Sequence, residues 1–139
     1  MNRAGREVAV VGVGYAPVAR RGAPDIREIT LDACEDALDD AGLRADDLDG
    51  IFQYSFGIDS PISVGTQRLL GVPNLTAFND IMGTGPSGLA SAMDAAMAIA
   101  SGVCDTALVY GFATQADRIT KEIVDDVITQ KRAFGVFSQ

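Results

Sequence analysis

Four short apolar runs, separated by three stretches of helical periodicity, constrain this chain more than any other feature of its sequence. The first run, Val8 to Val13 (VAVVGV), is continuous and rich in β-branched residues, as suits a strand buried on both faces. Gly12, Gly14 and Pro17 end it, and Arg20 to Pro24 reads as a loop. Asp25 then caps a helix with apolar residues at Ile26, Ile29, Ala33, Cys34, Ala37, Leu38 and Ala41, and Gly42 stops it. After the turn Asp46-Asp47-Leu48-Asp49-Gly50, a second strand spans about Ile51 to Tyr54. Ser60-Pro61 opens a second helix, with Pro at its first position, that runs to Leu70 before Gly71-Val72-Pro73. Leu75 to Phe78 reads as a third strand. A long helix from about Pro86 to Ser101, closed by Gly102, leads to a fourth strand, Thr106 to Tyr110. The order β-α-β-α-β-α-β predicts an α/β fold, a mostly parallel sheet with right-handed crossovers and helices on both faces.

Beyond Gly111 the pattern loosens. Residues 1–111 are expected to form the core. Residues 112–139 form a loosely patterned tail in which Ile119, Ile123 and Val127 predict an amphipathic helix over 117–130. Four parallel strands and a trailing segment read as an architecture that stops before it is complete.

Composition narrows function mainly by exclusion. With 47% apolar and 22% charged residues among 139, the chain has the make-up of a globular domain with a real core. No apolar run approaches the ~20 residues needed to span a bilayer. The polar start, Met1 to Glu7, predicts no signal peptide and a cytoplasmic protein. A net charge of −8 argues against nucleic acid as a partner. Cys34 and Cys104 match no metal or redox spacing and are expected to be buried packing residues in a reducing compartment. There is no histidine, so Ser-His-Asp, Cys-His or His-metal chemistry would need another chain. No catalytic residue and no metal ligand is assigned.

Gly12-Val13-Gly14 follows a strand, but no third glycine and no helix follow at the spacing of a dinucleotide-binding loop, and Pro17 interrupts. The acidic stripe Glu28, Asp32, Glu35, Asp36, Asp39 and Asp40 reads as solvated helix surface. Gly83-Thr84-Gly85-Pro86-Ser87-Gly88 is more informative. It joins the third strand to the long helix, where free backbone N–H groups meet the positive end of the helix dipole. Such a corner is either a plain capping turn or a ligand-facing site for a carbonyl or developing oxyanion. Ser87 lies outside a Gly-x-Ser-x-Gly nucleophile elbow. The helix that follows, Leu89 to Ala100, is small and apolar nearly all round with Asp94 its one charge, which suits burial beneath another layer or a partner.

The stretch from Gly83 to Phe112 resembles the thiolase segment that carries the nucleophile and the buried helix after it. Ser87-Gly88, Ser101-Gly102, Asp105, Leu108 and Gly111 fall in register with that family's pattern. The first strand, the helix ending Ala41-Gly42-Leu43 and the turn Asp46 to Gly50 are similar to the thiolase N-terminus, so the resemblance covers residues 7 to about 112. Gly85 stands where thiolases place cysteine, which removes acyl transfer through a cysteine thioester. Glycine-rich replacement at this corner resembles the lipid-transfer-protein branch, which includes aldolases that cleave side chains of steroid acyl-CoA thioesters.

The resemblance implies the N-terminal half of a thiolase-like fold, with five strands per half and the fifth beyond Gln139. It implies a coenzyme A thioester as substrate, with no covalently bound cofactor. It places substrate contacts at Gly83, Thr84, Gly85, Ser87 and Gly88 and the acid–base groups in a C-terminal half. It also implies a homodimer or heteromer through the Leu75 to Phe78 edge, with a C-terminal-half chain or an OB-fold acyl-CoA-binding protein as a further partner. The expected function is that of a truncated or split thiolase-like subunit in C–C bond cleavage or formation. The alternative is a non-catalytic half that shapes a catalytic partner.

Overall fold

The computed structural model describes residues 6–17, 25–55, 61–83 and 85–112. Three parallel strands make the sheet: β1 (Gly50–Ser55), β2 (Ala77–Met82) and β3 (Ala107–Phe112), in the order β2-β1-β3. Helices α1 (Ile26–Ala41) and α2 (Ser63–Leu70) cover one face and α3 (Ser87–Ser101) the other. The expected α/β class, parallel sheet and two-sided helical cover are therefore present.

Alternation along β1 explains the two layers. Ile51 packs with Cys34, Leu38, Val72, Leu108 and Tyr110 on the α1–α2 side. Phe52 packs with Ala77, Ala95 and Cys104 on the α3 side. Neighbouring residues of a strand point to opposite faces, so a central strand buried on both sides must be apolar at consecutive positions. Ile51, at 0% exposure, contributes about 1.5–3 kcal/mol by its burial.

Asp49 organises the N-terminal end of the sheet. Its carboxylate accepts the backbone N–H groups of Asp105 and Thr106 at 2.9–3.0 Å, and its carbonyl accepts those of Thr76 and Ala77 at 2.8 and 3.2 Å. One residue thus sets the entry of both outer strands against β1. Gly50 beside it has little room, because a Cβ there would lie 3.0 Å from Cys104 Sγ and Ala107 Cβ.

Helix α1 has the ends expected of it. The Asp25 side chain accepts the Arg27 N–H at 2.8 Å, and Gly42 closes the helix at φ 67°. Arg27, through its side chain first and its backbone N–H second, holds the Asp25 carboxyl below the usual carboxylate range. Cys34 and Cys104 are buried free thiols. Burial, reinforced by Glu35, pushes the Cys34 thiol up to about 12. Burial first, then Asp49 and Asp105, raises that of Cys104.

Three expectations need correction. Val8 to Val13 joins no strand ladder among the described residues, and Val10 is 86% exposed. Its neighbourhood is held by α1 instead: Asp40 accepts the Val13 N–H and Asp36 the Tyr15 N–H, each at 2.9 Å. Part of the acidic stripe therefore binds backbone. The close approach depends on Gly12 and Gly14, where a Cβ would lie 2.4 and 2.2 Å from the backbone of Ala37.

Helix α2 starts at Ser63, with Ile62 and not Ser60 or Pro61 ahead of it. Strand β2 begins at Ala77 and continues through Asn79 and Asp80 to Met82, beyond the apolar run that local reading ends at Phe78. Both polar residues have distant partners. Asn79 Nδ2 donates to Asp94 on α3 at 2.7 Å, and Asp80 accepts from Ser63 on α2. The expected tail, including a helix over 117–130, lies outside the described residues.

Candidate functional site

The corner between β2 and α3 sits at the C-terminal end of the sheet, where parallel α/β folds place their ligands. The Gly83 N–H donates to Ser55 O at 3.0 Å, carrying the β1–β2 pairing one residue past β2. Pro86, at φ −78° and ψ −5°, precedes the first turn of α3, and its carbonyl accepts the Ala90 N–H at 3.0 Å. The first N–H groups of the helix have no carbonyl partner within it, so they face the corner as donors.

The sequence predicts five substrate-contacting residues here, and the structure separates them. Gly83 and Ser87 come together: a Cβ at Gly83 would lie 2.5 Å from Ser87 Oγ. Ser87 itself is buried, as befits a serine that packs the corner. Gly85 is exposed, and a Cβ built there meets nothing within 4 Å. Packing against the described residues does not demand glycine at 85. Gly88 packs against Tyr54, whose ring carbons and hydroxyl lie 3.0–3.4 Å from where its Cβ would be. Thr84 lies outside the described residues.

Tyr54 is the residue that sequence reasoning misses. It stands near the C-terminal end of β1, directly opposite Gly111 of β3 in register. A Cβ at Gly111 would fall 1.8 Å from the Tyr54 ring, so glycines at 88 and 111 together make the slot that the ring fills. The signal in the sequence is a large aromatic at a strand end with two glycines able to flank it, but only the register shows that they meet. Ser91 holds α3 onto the same strand, its hydroxyl donating to Gln53 O at 3.2 Å.

Beyond Tyr54 an open cavity of about 590 Å³ follows the outer edge of β3 between α1 and α3, with residues 8–15 as its outer wall. Its lining is mostly apolar, with Ala33 and Ala37 of α1, Ala92 and Ala96 of α3 and Val109 of β3 beside Tyr15, Tyr54 and Thr106.

On the opposite face of the sheet, Asp80, Gln53 and Tyr110 stand side by side across β2, β1 and β3. Tyr110 is tied by its hydroxyl, which donates to Pro61 O at 2.5 Å and accepts from Thr66 Oγ1 at 2.7 Å. Burial raises its ionisation well above the usual tyrosine range, with the Thr66 hydrogen bond opposing. Gln53 is 2% exposed, and its Nε2 has no hydrogen-bond partner among the described residues. Among the described residues no group of His, Cys, Asp or Glu is placed to hold a metal ion. No helix among them is long and apolar enough to cross a membrane.

No family model matches the sequence. Over 104 residues, 75% of this chain, it is 33% identical to the 17-hydroxy-3-oxo-4-pregnene-20-carboxyl-CoA lyase of Mycobacterium tuberculosis. Over 102 residues it is 26% identical to the steroid side-chain-cleaving aldolase of Thermomonospora curvata. The chain spans about a quarter (26%) of the length of each of these relatives.

Among solved structures, the Ltp2-ChsH2(DUF35) aldolase superposes with a TM-score of 0.71 at 23% identity, covering 81% of this chain and 29% of that one. The 3-oxoacyl-[acyl-carrier-protein] synthase III of Aquifex aeolicus gives 0.59 at 20% identity, over 73% of this chain and 43% of that one. The priming β-ketosynthase of the R1128 polyketide pathway gives 0.62 at 23%, over 78% and 44%. The chain therefore has a thiolase-like fold, and in sequence it is a relative of the steroid side-chain-cleaving aldolases.

Proposed function

We propose that this chain is a thiolase-like subunit that handles an acyl-CoA thioester in C–C bond cleavage or formation and works with a partner chain that supplies the acid–base groups. The observation that carries this reading is the corner at Gly83 to Gly88. It lies at the C-terminal end of a parallel sheet, beside a helix N-terminus, with open space at the position where thiolases have cysteine. Both curated relatives are named for side-chain cleavage or for lyase chemistry on a carboxyl-CoA. In a retro-aldol cleavage a base removes the proton of the β-hydroxyl, the C–C bond breaks to leave a ketone, and the electron pair passes into a thioester enolate. Backbone donors suit the role of stabilising that enolate oxygen. In this reading the acid–base part falls to groups outside these 139 residues, which cover about a quarter of the relatives' length and contain no histidine.

Two kinds of partner fit. The structural neighbour whose name joins Ltp2 to ChsH2(DUF35) supports a heteromer. The outer edge of β2, with Phe78 58% and Met82 69% exposed, supports pairing with a second copy, as an unpaired apolar strand edge invites. In this reading the substrate contacts are Gly83, Thr84, Gly85, Ser87 and Gly88, residues 1–111 are the core, and residues 112–139 extend it.

The test is reconstitution of the chain with its co-purifying partner, followed by acyl-CoA turnover of wild type and Gly85→Val. Loss of turnover with intact assembly is expected; full turnover by Gly85→Val refutes a substrate role for the corner. The lack of histidine favours a second reading, a non-catalytic half that shapes its partner. That reading is selected if turnover tolerates Gly85→Val but the complex dissociates when Met93, 56% exposed on the outer face of α3, is made Lys.

A further inference from the structure

We propose that Tyr54 is the positioning residue of the corner: its ring, resting on Gly111 of β3, sets the first turn of α3 and so aims the N–H groups of Gly88 and Leu89. This rests on the acyl-thioester reading above and adds the side chain that holds the corner's donors in place.

Gly88 and Gly111 face the same edge of one ring. The Cζ and Cε1 atoms of Tyr54 are the two nearest atoms to a Cβ built at either glycine, at 3.0 and 3.1 Å in the case of Gly88. The first turn of α3 and the end of β3 are thus spaced by the Tyr54 ring, with no side chain of their own at the contact. Further along α3 the spacing is set differently. Ser91 and Ala95, about one and two turns on, are small and buried, and the Ser91 hydroxyl donates to Gln53 O of β1. The helix therefore lies close on the sheet at Ser91 and Ala95 and rests on a ring at Gly88, so the ring fixes the tilt of the end that faces the corner. The N–H groups of Gly88 and Leu89 have no hydrogen-bond partner among the described residues, and their direction follows that tilt. Ring carbons make the contact, so the ring and not the hydroxyl carries the role.

The first measurement is of N–H residual dipolar couplings in the full chain, which report bond orientation and are blind to ring currents. Wild type is compared with Tyr54→Phe, Tyr54→Leu and Gly88→Ala. In Tyr54→Leu and Gly88→Ala the N–H bonds of residues 88 and 89 are expected to turn while those of Ala95 to Ile99 keep their direction. Tyr54→Phe is expected to match wild type throughout. The second measurement is turnover by the chain assembled with its co-purifying partner. Its probe is 17-hydroxy-3-oxo-4-pregnene-20-carboxyl-CoA, the thioester in the mycobacterial relative's name. Tyr54→Leu and Gly88→Ala should lower kcat about tenfold or more with KM within about twofold of wild type. Tyr54→Phe should keep the wild-type kcat.

N–H bonds of Gly88 and Leu89 that keep their direction in Tyr54→Leu overturn the positioning role, whatever the turnover. Bonds that turn while the wild-type complex cleaves no thioester sink the acyl-thioester reading and leave Tyr54 as the residue that sets the corner. Bonds that turn with kcat unchanged overturn the link to the reaction. An equal loss in Tyr54→Phe assigns the effect to the hydroxyl and overturns the proposal. Should Tyr54→Leu fail to fold, Gly88→Ala, which keeps the ring and presses on it from 3.0 Å, decides by the same two readouts.

Discussion

Asp80, on the edge strand β2, caps a helix that starts 17 residues earlier in the sequence. Its carboxylate accepts the backbone N–H of Ser63 at 2.7 Å and the Ser63 hydroxyl at 2.8 Å. Ser63 is the first residue of α2 and is fully buried, and Ile62 before it offers no side-chain cap. A negative charge at this end also matches the helix dipole. Asp80→Ala is expected to cost about 1–2 kcal/mol, because it strands a buried donor and removes the cap. Asp80→Asn should recover part of that. Urea unfolding of the three proteins decides it; equal midpoints would show that the cap contributes nothing.

Gln53 predicts the opposite sign. Its side chain is buried between Asp80 and Tyr110 in the cross-strand row, and Nε2 donates to no group among the described residues. A buried unsatisfied donor costs about 1–3 kcal/mol, and Met is close in shape without the donor. Gln53→Met is therefore expected to be neutral or to stabilise by up to about 1 kcal/mol, read as a rise in thermal midpoint. A clear fall would mean that the amide is satisfied in solution by a bound water or another group.

The buried thiol of Cys34 makes stability depend on alkaline pH. Its ionisation is raised from 9.0 to about 12, so the folded state holds the proton where the unfolded chain releases it. Below pH 9 both states are protonated and the stability is fully present. Between about 9 and 12 it falls, by at most about 1.4 kcal/mol per pH unit from this group. Cys34→Ala should be less stable at pH 8, from the cavity it leaves, yet lose less between pH 9 and 10.5. Parallel stability curves for the two proteins would contradict the assignment.

Elements governed by neighbours in sequence are legible from local signals alone. Helix α1 is readable because Asp25 and Gly42 are such signals, and Gly102 at φ 77° stops α3 for the same reason. What local signals miss is fixed by distant partners. The apolar run Val8 to Val13 has the composition of a strand, but the hydrogen bonds that hold it and Tyr15 go to Asp40 and Asp36. The start of α2 is set by Asp80, and the length of β2 by the partners of Asn79 and Asp80. At the site, Gly83 and Ser87 are readable as a strand-to-helix corner. Tyr54 is not, because its importance comes from a register that puts it opposite Gly111.

That register separates two glycines that look alike in sequence. Gly111 and Gly85 both lie at the C-terminal end of the sheet, yet a Cβ at 111 would fall 1.8 Å from the Tyr54 ring and one at 85 would meet nothing within 4 Å. Gly111→Ala must therefore move the ring or β3, and a cost of about 1–3 kcal/mol is expected, as for other overpacked sites. Tyr54→Ala in the same chain should relieve part of it, since the clash is with that ring. Gly85→Cys, by contrast, should leave stability within about 0.5 kcal/mol of wild type. Its thiol should react readily with a maleimide while Cys34 and Cys104 stay protected in the folded protein. If Gly85→Cys is destabilised as much as Gly111→Ala, the corner is packed shut and cannot face a ligand. If its thiol is open and the fold intact, the glycine at 85 answers to something other than packing, as a substrate-facing position would.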